Sequence, residues 1–142
     1  MAMSFDTLTS LVVSGEIDTV LVCAVDMQGR LVGKRFHAAN FLESGHEETH
    51  CCNYLLATDL EMATPDGYAA TSWAAGYGDY TLKPDLTTLC PVPWLEGTAL
   101  VLGDFLDHHS HAPVPHSPPA CRGRRCNTTP LALAIPSARR LR

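Results

Sequence analysis

Three groupings of side chains in this 142-residue chain are of types that do chemistry. The first is Asp59 with Glu61, which share a face if NYLLATDLEM (Asn53 to Met62) is an extended third strand. Paired carboxylates serve acid–base catalysis or hold a divalent cation; they equally form the solvated face of an edge strand, the reading favoured here. The second is histidine. His46 and His50 stand at i and i+4, which suits a metal on a helix, but the apolar period is weak and no further ligand flanks them, so a solvated loop is favoured. His108, His109, His111 and His116 crowd DHHSHAPVPHSPP, a composition compatible with zinc, copper or nickel. The prolines there favour an extended linker with no fixed scaffold for the rings. The third grouping is cysteine. Cys23, Cys51, Cys52, Cys90, Cys121 and Cys126 contain no C-x-x-C pair, and adjacent Cys51 and Cys52 suit neither one tetrahedral zinc nor an easy mutual disulfide. Reduced thiols follow, with Cys23 a small residue inside an apolar strand.

The elements that must position these groups come next. An apolar fraction of 46% is enough for a core, and the length suggests one domain. No apolar run approaches the roughly 20 residues of a membrane span, and no secretion signal opens the chain, so a cytoplasmic protein is the expectation. Residues 1 to 117 carry all 15 acidic residues against Arg30, Lys34, Arg35 and Lys83, an acidic body that argues against nucleic-acid binding. Residues 3 to 14 form a short helix, with Phe5, Leu8, Leu11 and Val12 at helical spacing, Ser4 or Asp6 as cap and Gly15 as stop. Thr19 to Val25 is a β-branched central strand, Asp26-Met27-Gln28-Gly29 a turn, and Arg30 to Phe36 the returning strand. Gly33 within it marks a bulge or a close backbone approach. His37 to Ser44 is a short helix with Phe41 and Leu42 facing inward.

The stretch Gly76 to Asp107 organises the rest. Asp79 to Lys83 reads as a short strand with Tyr80 and Leu82 on one face. Thr98 to Phe105 is apolar enough for a strand buried on both faces. The connection between them carries Pro84, Asp85, Pro91 and Pro93, with Trp94 as its expected apolar anchor. Before it, Thr64 to Gly78 is a Gly/Ala-rich loop with a Pro65-Asp66-Gly67 turn and three aromatics, Tyr68, Trp73 and Tyr77.

Taken together, GYGDYTLKPDLTTL…PW…TALVLGDF and the upstream Asp26-Met-Gln-Gly29-Arg-Leu-Val-Gly33-Lys34-Arg35 resemble the N-terminal, β-grasp domain of the glutamine synthetase family. The resemblance runs from about residue 16 to 117 and implies an α/β (α+β) fold: a β-grasp-like mixed sheet with one or two short helices. Domains would be an N-terminal helix over 1–15, the β-grasp domain over 16–107, and a Pro/His-rich linker with a basic low-complexity tail over 108–142. It also implies an ATP-dependent glutamate–ammonia or glutamate–amine ligase, with Mg2+ or Mn2+ holding the nucleotide on a catalytic domain not recognisable here. The Thr64–Gly78 loop would reach a neighbouring subunit of a homo-oligomer, where Asp66 and Ser72 would help close the active site. Lys34 would lie near the subunit junction. The family's D-G-S-S wording is replaced by Asp66-Gly67-Tyr68-Ala69, which leans toward members that use larger amines.

The family's catalytic helix does not follow. Pro119 stands where an arginine is expected, and ACRGRRCNTTPLALAIPSARRLR holds six arginines, no acid and no apolar period. This has the look of GC-rich DNA read out of frame, so a frameshift or truncation near residue 118, a disordered tail and a catalytically silent fragment are expected; a basic tail for RNA or anionic membrane is the functional alternative. From a different class, the chain would be a free-standing β-grasp module binding a partner through Tyr68 to Tyr77.

Overall fold

The computed structural model describes residues 3–68, 71–74 and 76–114. Five strands form one mixed sheet: β1 (Thr19–Val25), β2 (Leu31–His37), β3 (Thr49–Cys52), β4 (Asp79–Pro91) and β5 (Thr98–Asp107). Their order is β2-β1-β5-β4-β3. β1 and β5 run parallel at the centre, and the other neighbouring pairs are antiparallel. α1 (Phe5–Val13) and a helical segment, α2 (Ala38–Asn40) winding on as a π-turn over Phe41–Gly45, pack on one face of the sheet through Leu8, Ala38 and Phe41. The described residues are thus mixed α/β, as the resemblance implies. No helix among the described residues is long and apolar enough to cross a membrane.

Local chemistry explains these elements. α1 begins where Ser4 Oγ accepts from the Thr7 N–H at 3.1 Å, with Asp6 in the first turn facing the positive end of the helix dipole. β1 alternates fully buried Val20, Val22 and Ala24 with half-buried neighbours. In β2, Gly33 lies opposite Cys23, and a Cβ there would strike the Val22 carbonyl oxygen and sit 2.7 Å from Cys23 Cα. The close approach read from the sequence is therefore real.

Four expectations are corrected. Thr98 to Phe105 is interior but not buried on both faces: Ala99, Val101 and Phe105 enter the core, while Leu100, Leu102 and Leu106 are half-buried because the helices cover one face only. The strand starting at Asp79 does not stop at Lys83. It continues to Pro91 through a bulge between Asp85 and Cys90. There Thr88 Oγ1 donates to Asp85 O at 2.7 Å and accepts from the Leu102 N–H at 2.8 Å, so a hydroxyl replaces the interrupted ladder. Trp94 does not anchor the connection; it is 72% exposed, and Val92 is buried instead. Finally, Asn53 to Met62 is not a strand. The third strand lies just before it, at Thr49–Cys52, and takes in His50 from the segment read as a loop. Asn53–Leu56 then forms a 3-10 turn, and Asp59 Oδ1 caps a tight loop by accepting from the Glu61 and Ala63 N–H groups, both at 2.9 Å. Asp59 and Glu61 therefore share no strand face.

Candidate functional site

The loop running from Ala57 to Gly78 holds Asp66 and Ser72, and two buried polar devices fix its ends. Asn53 is the first. Its N–H donates to Gly78 O at 2.9 Å, and its side-chain Oδ1 accepts from the Thr71 hydroxyl at 2.8 Å and the Gly78 N–H at 3.3 Å. One amide thereby ties the start of the excursion to its return. Burial of Asn53 and Thr71 makes these bonds stronger and costly to lose.

The second device is the β1–β2 turn. Asp26 is 2% exposed. Its carboxylate accepts from the Arg30 Nε–H at 2.6 Å, the Arg30 N–H at 2.8 Å and the Gln28 N–H at 2.9 Å. Burial alone pushes this carboxyl up, but the N–H groups of Arg30 and Gln28 and the Arg30 guanidinium outweigh it and hold it below the ordinary carboxylate range. The turn then grips the loop: Gln28 Nε2 donates to Thr58 O at 3.0 Å, and Arg30 Nη1 to Leu60 O at 3.1 Å.

Between these anchors, residues 59–68 are all exposed. Asp66 is exposed on a turn whose Gly67 takes φ +106°. Ser72 is half-buried and forms an antiparallel bridge with Gly76. Tyr77 packs edge-on against Tyr54 at 5.9 Å between centroids and against Trp73 at 5.8 Å, leaving Trp73 82% exposed. Asp66 and Ser72 thus occupy separate parts of a loop pinned at both ends. Two shallow clefts of about 570 and 510 Å3 among the described residues flank Lys83, and neither of these is lined by Asp66 or Ser72.

No family model matches the chain. Over 104 residues it is 50% identical to a gamma-glutamylethanolamide synthetase of Streptomyces coelicolor, covering 72% of this chain and 22% of that protein. Over 103 residues it is 41% identical to a glutamate–isopropylamine ligase of a Pseudomonas species, again covering 72% of this chain and 22% of the relative. In fold it aligns with GmaS in a complex with ADP, at a TM-score of 0.55 and 18% identity, covering 82% of this chain and 23% of that one. The matching residues are glutamine synthetase-like. The chain spans about a fifth of the length of the curated relatives it matches.

Within this glutamine synthetase-like unit, Lys34 and Arg35 are exposed on the edge strand β2. The i, i+4 pairing of His46 and His50 does not exist as a helical face. His46 packs on Phe5 and Phe41, at 4.9 and 6.4 Å between ring centroids, whereas His50 is exposed on β3. The sequence reading missed Asn53 and the Gln28–Arg30 grip on the loop. An Asn and an Asp inside a supposed strand were the available signal, since both residues disfavour strands and prefer to bind nearby backbone.

Proposed function

We propose that this chain is the N-terminal, β-grasp domain of a ligase that joins the γ-carboxylate of glutamate to an amine at the expense of ATP. In this reading, the Ala57–Gly78 loop completes the active site of a neighbouring subunit in a homo-oligomer. The observation that carries it is the 50% identity over 104 residues with a protein named for forming a γ-glutamylethanolamide. The second relative is named for isopropylamine, and together they favour an alkylamine over ammonia. The parallel β1–β5 pair at the sheet centre supports the β-grasp assignment. The loop geometry supports the role of its residues: Asp66 presents an exposed carboxylate to an incoming alkylammonium, and the Ser72–Gly76 bridge and the Tyr77 stack hold the loop's return in place.

The described residues present no preassembled group of three His, Cys, Asp or Glu donors. Of the four cations of the body, Arg30 is committed to Asp26. In this reading the nucleotide, Mg2+ or Mn2+ and the chemical step belong to the remainder of the ligase, and this chain alone is catalytically silent. A cytoplasmic location and a break in reading frame near residue 118 belong to the same reading; residues 115–142, the expected disordered tail and His116 among them, lie outside the described residues. The exposure of Trp73 favours a second reading, a free-standing module that docks a partner on this loop.

Complementation separates the two. The purified chain, given ATP, glutamate, ethanolamine and Mg2+, makes no γ-glutamylethanolamide; mixing it with the Streptomyces relative lacking the matching segment restores product. A mixture in which the two proteins bind yet stay inactive favours the docking module.

A further inference from the structure

The β1–β2 turn and the loop it grips carry exposed apolar side chains to which the ligase reading gives no role. Met27 in the turn and Leu31 at the start of β2 are 48% and 51% exposed, and Leu60 and Met62 in the loop are 73% and 47% exposed. Two hydrogen bonds bring the segments together: Gln28 Nε2 donates to Thr58 O and Arg30 Nη1 to Leu60 O. Each segment is also fixed internally. The turn closes on the buried Asp26 carboxylate. The loop closes on Asp59, whose N–H donates to Ala63 O at 2.9 Å and whose carbonyl accepts from the Met62 N–H at 3.1 Å. Met62 takes φ +63°, a left-handed backbone that non-glycine residues seldom adopt and keep only where their surroundings impose it. The four side chains therefore stand on a stapled platform.

Large apolar side chains gathered at a surface mark an interaction site. Methionines, unbranched and polarizable, adapt to a partner's contour. The charge around them narrows the partner. Residues 57–78 contain Asp59, Glu61 and Asp66 and no Lys, Arg or His. Arg30, the cation at their edge, is spent on Asp26. A second copy presenting the same face would set carboxylates against carboxylates, and an anionic lipid surface would be repelled. The complement is an apolar recess rimmed by Lys or Arg. The curated relatives have the chain to supply one: the match covers 22% of each, so most of either protein lies outside it.

We propose that Met27, Leu31, Leu60 and Met62 form the docking face by which this domain seats on the rest of the ligase, against an apolar recess with a basic rim. The proposal rests on the ligase reading above and adds to it a surface separate from Asp66 and Ser72. Burial of the four side chains supplies the affinity, and the carboxylates around them set the orientation. Residues 59–63 seat the base of the loop. Asp66, three residues further on, is placed by that contact rather than by one of its own.

The test compares melting of the 142-residue chain with that of a chimera, the Streptomyces synthetase carrying this chain's counterpart of the matching 104-residue segment. Leu60→Asp with Met62→Asp leaves the free chain's melting unchanged, because both positions are exposed and aspartate tolerates the Met62 backbone. The same pair lowers the chimera's melting temperature by several degrees, because it sets two charges in a dry contact. Glu61→Lys lowers it at low ionic strength and much less in about 0.5 M NaCl. Trp94→Asp, at a comparably exposed apolar residue on the β4–β5 connection, shifts neither protein. An active chimera whose melting ignores the double variant overturns the proposal and leaves the ligase reading standing, as does a double variant that lowers both melts alike. A chimera that fails to assemble or stays inert overturns the ligase reading and this proposal with it. A free chain that dimerises through these residues, or binds phosphatidylcholine vesicles through them, gives the face to another occupant and overturns the proposal too.

Discussion

Replacing Asp26 by alanine removes the acceptor around which the β1–β2 turn is built. Three N–H groups lose their partner: the Arg30 Nε–H at 2.6 Å and the backbone N–H groups of Arg30 and Gln28. Bonds to a charged acceptor contribute about 1.5–3 kcal/mol each, but they are not additive here. The Arg30 side chain is 26% exposed, so water rehydrates part of it. A net loss of about 2–4 kcal/mol remains. For a domain of this size that is a melting-temperature drop of roughly 10 °C or more. Asp26→Asn keeps an acceptor for the two backbone groups but sets an amide or a neutral oxygen against the guanidinium, costing about 1–2 kcal/mol. The pH dependence has a definite sign. A carboxyl held below its unfolded value contributes stability that is present above the unfolded pKa, about 4, and is lost as pH falls through the folded value. The advantage of wild type over Asp26→Asn therefore shrinks below about pH 4. Urea unfolding at pH 7 and at pH 3, with amide hydrogen exchange at Gln28 and Arg30, measures both effects. An Asp26→Ala protein within about 0.5 kcal/mol of wild type, the range of an ordinary surface change, would refute the reasoning.

Other perturbations are read the same way. Gly33→Ala drives a Cβ into the Val22 carbonyl and splays β1 from β2, so its thermal melt falls by several degrees, while Gly29→Ala strains only the turn. Val101→Asp places a charge in the core and abolishes the cooperative melt, whereas Leu100→Asp, on the half-buried face, leaves a folded protein; equal damage from the two would contradict the one-sided core. Burial pushes the Cys51 thiol up to about 11, so in the native protein it resists alkylation at pH 8 and reacts only in urea; that stabilising difference is lost as pH rises from about 9, the unfolded value, toward 11.

The parts of the fold legible in the sequence were those written in one segment. β1 and β5 announce themselves as continuous apolar, β-branched runs, Ser4 caps α1 through a bond three residues long, and Gly33 stands at the residue where only a hydrogen fits. What escaped was written in two segments at once. Pro84-Asp85 looks like a strand end until Thr88 is seen bridging the bulge to Leu102, fourteen residues on. NYLLATDLEM looks extended because its apolar residues mask the role of Asn53, whose partners, Thr71 and Gly78, lie 18 and 25 residues downstream. Trp94, flanked by the apolar Val92 and Leu95, reads as an anchor, although only packing against other elements can bury it, and Val92 is the residue so buried. The candidate residues Asp66 and Ser72 came from resemblance, and the structure supplied what the sequence did not: the clamps that hold their loop at both ends.

The central claim, that this domain serves a glutamine synthetase-like active site through its Ala57–Gly78 loop, is tested most directly by a chimera. The matching 104-residue segment of the Streptomyces gamma-glutamylethanolamide synthetase is replaced by its counterpart from this chain, and ATP-dependent γ-glutamylethanolamide formation is measured in the purified, assembled protein. The account predicts an active chimera that loses at least about tenfold in rate on Asp66→Ala, with unchanged melting, as expected of a residue that acts at the reacting groups. A chimera that assembles and remains inert, or one indifferent to Asp66→Ala, contradicts it.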